Sequence, residues 1–177
     1  MIAEAFERAG ELLSGFTDAQ LNQGFWYCVG ASASDFMCAL KAQEVPLQHQ
    51  LRLLRSFVPL FEQLMAVRCT PCLSHLDEKP AGPLNGACYM WWDVICVYGR
   101  PQDAESREID QEVLRILARI LEIPHDACRE SALHGIGHWH RAYPCLEAVV
   151  DQFLENTQNL RSELIQYAQY ARMGYVQ

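Results

Sequence analysis

The sequence predicts an all-α protein folded as one domain. Apolar residues recur at spacings of three and four along most of the chain, which is the period of a helix face. Glycine and proline fall mainly between those periodic runs. No run alternates with period two between turn residues, and no hairpin dipeptide joins two β-branched runs. With 177 residues, 50% of them hydrophobic, the chain holds enough apolar surface for a single core over 1–177. Eight or nine helices are expected.

The first helix is expected over 2–14, with Ile2, Phe6, Ala9 and Leu13 on one stripe. Thr17 and Gln20 have the spacing of a capping box, which opens a helix over about 18–29. Gly30 ends or bends it, and a shorter helix follows at about 33–42. Residues 46–68 carry the clearest face: Leu47, Leu51, Leu54, Val58, Phe61 and Met65. Pro59 lies inside that run and should kink or split it. Residues 69–84 contain Pro71, Pro80, Gly82 and Pro83 and show no period, so they form an irregular loop. Helices are expected again at 85–98, 105–122, 126–140, 144–155 and 158–173. The run Val94 to Tyr98 would suit a strand in isolation, but its helical neighbours argue otherwise.

Three segments share a mixture of small and aromatic residues: 22–28, 85–92 and 131–139. Small residues allow close helix approach, and aromatic rings fill the space beside them. Helix lengths and turn placement over 85–173 resemble the HEAT-like helical-repeat proteins. That resemblance implies antiparallel helix pairs stacked as a right-handed array, with a partner on one face. A compact helical bundle has the same periodicity.

Lys and Arg number 14 against 22 Asp and Glu, a formal net charge of −8. Such a balance disfavours nucleic acid and suits a basic protein partner. No apolar run reaches the length of a membrane span. The start, with Glu4 and Glu7, lacks the basic character of a signal peptide, so a cytoplasmic protein is expected. The eight cysteines mostly sit in apolar stretches and read as free core thiols.

Two groups could carry chemistry. Cys69 and Cys72 form a Cys-x-x-Cys with His75 three residues on, and His134, His138 and His140 form a second group. On a helix His134 and His138 share a face, so Cys69, Cys72, His134 and His138 could complete a zinc tetrahedron. A cysteine hydrolase would pair Cys69 or Cys72 with His134 or His138, with Asp77 as orienter. The Trp91-Trp92-Asp93 run offers an aromatic anchor, and Asp77 and Glu78 offer acid to a basic partner. The resulting expectation is a non-catalytic helical domain that binds another protein, as an acidic inhibitor or immunity-type protein would. Its surface would comprise Asp77, Glu78, Trp91, Trp92, Asp93, His134, His138 and Trp139. It needs no cofactor. The alternatives are a zinc or cysteine hydrolase at Cys69/Cys72 and His134/His138, or a structural homodimer.

Overall fold

The computed structural model describes residues 1–176, and every regular element among them is helical. The segments are α1 (Ile2–Glu7), α2 (Ala9–Leu12), α3 (Asp18–Val29), α4 (Leu47–Arg55), α5 (Phe57–Leu60) and α6 (Ala66–Arg68). They continue with α7 (Asn85–Tyr89), α8 (Trp91–Val94), α9 (Arg107–Leu121), α10 (Asp126–His140), α11 (Leu146–Asn156) and α12 (Ser162–Arg172). Short 3-10 turns occupy Phe36–Leu40 and Ser74–Leu76, and a wide π turn occupies Phe61–Met65. The segments outnumber the expected eight or nine because several expected helices are interrupted.

Each interruption has a local cause. The first helix breaks at Arg8, where the Gly10 N–H donates to Gln63 Oε1 (3.2 Å) in place of the helical carbonyl. The 46–68 run breaks at Ser56. Pro59 has no N–H for the Arg55 carbonyl, and the Ser56 hydroxyl donates to the Leu53 carbonyl at 2.6 Å. The π turn follows directly. The expected 85–98 helix ends at Val94. Beyond it the chain bends at Ile95 and Cys96, the Val97 N–H donating to the Ile95 carbonyl at 2.8 Å, with Ile95 and Val97 buried and Tyr98 exposed. The capping box at Thr17 and Gln20 forms as its spacing predicts, and α3 and α10 keep their expected bounds.

The core centres on Trp91 and α10. The fully buried Trp91 ring meets Phe57, Phe61, Phe6 and Phe25 edge to face at 5.2, 5.8, 5.9 and 6.0 Å. Helix α10 is buried nearly all round and touches α7, α8, α9, α11 and α12. Gly135 makes that approach feasible. A Cβ there would lie 2.6 Å from Leu117 Cδ2 and 2.7 Å from Trp92 Cγ.

The irregular 69–84 segment is held by buried side chains. Asn85 Oδ1 accepts from the N–H groups of Thr70 and Gly82, and its Nδ2 donates to the Thr70 carbonyl. Glu130, fully buried on α10, accepts from the backbone N–H of Ser74 (2.8 Å) and of His75 (3.0 Å). The loop is thereby fixed against α10, with His75 turned inward.

Candidate metal centre

Helix geometry places Glu130, His134 and His138 on one stripe of α10, each four residues from the next. Asp93, on the one-turn helix α8, faces the two histidines. His134 Nε2 lies 2.7 Å from Asp93 Oδ2, and His138 Nε2 lies 2.6 Å from Asp93 Oδ1. The two Nε2 atoms are 3.1 Å apart. Three ligand-type atoms thus converge on one small volume, with Asp93 half-buried, His134 buried and His138 exposed.

The other side of His134 is also fixed. Its Nδ1 is 2.7 Å from the Tyr167 hydroxyl of α12, which is 3.2 Å from the Tyr89 hydroxyl of α7. The Tyr89 ring lies against His134 (4.3 Å between centroids), and the His75 ring stacks on Tyr167 (4.1 Å). His75 Nδ1 meets Glu130 Oε1 at 2.6 Å. Burial pushes the His134 pKa down although Asp93 pulls it up, so the ring favours its neutral form, which is the form that binds metal. Burial and contact with Tyr89 push the Tyr167 phenol far up, so its hydroxyl keeps its proton.

Without an ion, protons on the two Nε2 atoms can point at the two Asp93 oxygens, with Tyr167 donating to His134 Nδ1. An ion would instead be held by both Nε2 lone pairs and the Asp93 carboxylate, and His134 Nδ1–H would then donate to Tyr167. Zinc at its usual bond lengths spaces tetrahedral ligand atoms roughly 3.3 Å apart. Entry would require spreading each histidine–Asp93 pair by about 0.6–0.7 Å and the two Nε2 atoms by about 0.2 Å. On its open side a cleft of about 590 Å³ is bordered by His138, Asp93, Tyr98 and Arg141. Two histidines and one carboxylate with an open position form a donor set for zinc or ferrous iron.

The sequence-based candidates separate. His134 and His138 converge, but with Asp93 rather than with a cysteine. Cys69 is buried and neighbours Cys88, whereas the half-buried Cys72 thiol donates to the Pro80 carbonyl at 3.3 Å. The zinc set Cys69, Cys72, His134 and His138 is therefore corrected, because neither cysteine joins the two histidines. The cysteine hydrolase pairing of Cys69 or Cys72 with His134 or His138 is not formed, for the same reason. Asp77, its orienter, sits exposed in a left-handed turn.

The expected partner surface is corrected as well. Trp91, Trp92 and Trp139 are buried in the core, so none stands out as an anchor. Glu78 is committed to Arg161 and to the Leu73 N–H. Asp77 and His138 are the expected partner residues that remain exposed. His140 lies outside the cluster, paired with Glu147 at 2.9 Å.

Sequence reasoning missed Tyr89, Tyr167 and Glu130, and it gave Asp93 a different role. Asp93 is the sole charged residue between 80 and 99, and Glu130 precedes His134 by one helical spacing. Those two signals could have found half of the site. The described helices include none long and apolar enough to cross a membrane. Comparison of the chain with protein-family models, with curated proteins and with solved structures finds no match.

Proposed function

We propose that this protein is a divalent-metal protein whose Asp93–His134–His138 site performs metal-assisted hydrolysis. The observation that carries the reading is the convergence of Asp93 Oδ1 and Oδ2 with both Nε2 atoms within 3.1 Å. Three protein ligands with one exposed side leave a position for water or substrate, the arrangement of catalytic rather than structural zinc. The bound ion would lower the pKa of its water and polarise the substrate. Asp93 and the histidines would hold the ion, and Tyr167 would fix the His134 ring. The C-terminal end of α10, near His138, adds a favourable dipole for a cation.

The test is metal content after reconstitution with zinc, comparing wild type with Asp93→Asn and with a His134→Ala/His138→Ala double variant. The reading expects the variants to bind one equivalent less, and to lose zinc-dependent cleavage of a panel of ester and phosphoester substrates. Unchanged metal content in both variants would overturn it.

A second reading, a protein-binding helical domain, draws on a different observation. An apolar groove of about 220 Å³ lies between α1 and α3, lined by Ile2, Phe6, Leu13, Phe16, Leu21 and Phe25. Phe16 is half exposed there. The net charge of −8 favours a basic partner. A shift in sedimentation on Phe16→Asp, without any partner added, would identify the groove as a homodimer contact instead. A compact bundle around α10 suits the packing better than a HEAT-like array, whose repeats touch only their neighbours. Eight free thiols suit a reducing compartment such as the cytoplasm.

A further inference from the structure

Two cysteines from distant parts of the chain touch one another. Cys38 lies in the 3-10 turn Phe36–Leu40, and Cys96 lies in the bend that follows α8. Their sulfur atoms are 3.9 Å apart, although 58 positions separate them in sequence. Both thiols are free and half-buried, so small solutes reach them, in contrast to the buried Cys69, Cys88 and Cys128. Neither belongs to the Asp93 centre.

The same two segments are held by a second contact. Lys41, three residues past Cys38, places its Nζ 5.1 Å from the centre of the Tyr98 ring, two residues past Cys96. A cleft of about 110 Å³ lies between the segments, bordered by Leu40, Lys41, Val97 and Tyr98. The sulfurs therefore meet in a fixed register, beside space that a small molecule can enter. A bond between them asks for an approach of about 2 Å, which side-chain rotation and the irregular 95–99 stretch can supply. Burial and the neighbouring Cys38 push the Cys96 thiol up, with Lys41 opposing the rise. Such a thiol is a poor peroxide sensor, which leaves exchange with a small disulfide as the oxidising chemistry.

We infer that Cys38 and Cys96 are a reversible redox pair, closed into a disulfide by a low-molecular-weight disulfide such as oxidised glutathione. The pair stands without the metal centre. One thiolate of the pair attacks the glutathione disulfide, and one glutathione leaves as its thiolate. The other thiolate attacks the resulting mixed disulfide at the protein sulfur and expels the second glutathione. The protein gives up two electrons and two protons, and the glutathione disulfide gains them as two thiols. The new bond joins the 36–40 turn, which packs on α3 and α4, to the segment leaving α8. Helices α4 to α8 lie between the two cysteines, so the bond closes the loop that contains them and restricts the unfolded chain. Asp93 precedes Cys96 by three residues, so the oxidised form also anchors the end of the helix that carries it.

The probe is oxidised glutathione, added to the reduced, folded full chain, followed by alkylation of the remaining thiols and peptide mapping by mass spectrometry. The expected product is a chain that has lost two hydrogens, with Cys38 joined to Cys96, and that regains both thiols in dithiothreitol. Cys38→Ser and Cys96→Ser should each prevent the link, whereas Cys145→Ser, which removes the exposed thiol, should leave it unchanged. The linked chain should also melt about 5–15 °C above the reduced chain, the gain for closing a long loop. Should a serine variant fail to fold, the wild-type peptide map and melts decide alone. Glutathione adducts without the Cys38–Cys96 link, or no oxidation at all, would overturn the assignment. A link that lowers the melting temperature would overturn it too, because the bond would then form only by breaking native packing.

Discussion

Tyr167 holds His134 from the core side, its hydroxyl 2.7 Å from Nδ1, while Asp93 meets the same ring from the opposite side. The ring is thus fixed at both nitrogens by α12 and α8, two elements distant in sequence. Tyr167→Phe removes the hydroxyl contacts to His134 and to Tyr89 and leaves the ring volume nearly unchanged. Its expected effects separate into two measurements. Zinc affinity, by competition titration, should fall about 10–100-fold, as for a lost outer-shell partner. Unfolding free energy without metal should fall by about 1–2 kcal/mol. A loss of stability with zinc affinity intact would make Tyr167 a packing residue only.

Glu130 is the second fastening. It accepts from the Ser74 and His75 N–H groups and from the His75 ring, so one buried carboxylate orders the whole 73–78 turn. Glu130→Ala leaves those donors without partners. The expected cost is about 3–5 kcal/mol in urea unfolding, since each donor left unsatisfied costs about 1–3 kcal/mol. Limited proteolysis should then cut within 69–84, where the wild-type loop resists.

Much of the fold was legible because a helix face is a local pattern. The bounds of α3 and α10 follow from Thr17, Gln20 and the apolar spacing, with no knowledge of what each helix touches. The breaks at Arg8 and Ser56 were not legible. The first depends on Gln63, fifty-three residues from its partner Gly10, and the second on a carbonyl freed by Pro59. The site divides along the same line. His134 and His138 were visible as one helix face, whereas their convergence with Asp93 requires α8 to dock on α10. Trp91 and Trp92 misled for a related reason. Adjacent tryptophans on an isolated helix diverge, but a one-turn helix enclosed by α10, α9 and the phenylalanine cluster buries both.

Acid stability should report two ion pairs. The Arg161 guanidinium and the Leu73 N–H hold the Glu78 pKa below its usual 4.5, and Arg55 does the same for Glu112 despite partial burial. A carboxyl group with a lowered folded pKa stabilises the protein above its unfolded value. That contribution disappears as pH falls through the folded value. Wild type should therefore melt a few degrees above Glu78→Gln and Glu112→Gln at pH 7, with solvent screening keeping each gap small. Each gap should close as pH drops below about 4.5. A gap that stays constant down to pH 3 would show that the variants act through packing rather than charge.

Two glycines in helices should respond to alanine with opposite signs. At Gly135 a Cβ would sit 2.7 Å from Trp92 Cγ, an atom fixed by the buried ring, and 2.6 Å from Leu117 Cδ2. Helix propensity favours alanine by about 1 kcal/mol. Overpacking of a rigid core costs about 1–3 kcal/mol, so steric repulsion should win. Gly86 in α7 has no atom within 4 Å of its Cβ position. Gly86→Ala should therefore keep the propensity gain and raise the melting temperature by about 2–4 °C, the usual shift for 1 kcal/mol in a chain this size. Gly135→Ala should lower it. Because Trp92 precedes Asp93, the displaced indole should also move the carboxylate, so zinc affinity should fall in Gly135→Ala and hold in Gly86→Ala. Thermal melts of the two variants, with and without zinc, separate these effects. A stabilised Gly135→Ala with full zinc affinity would mean that α8 can retreat from α10 without cost to the site.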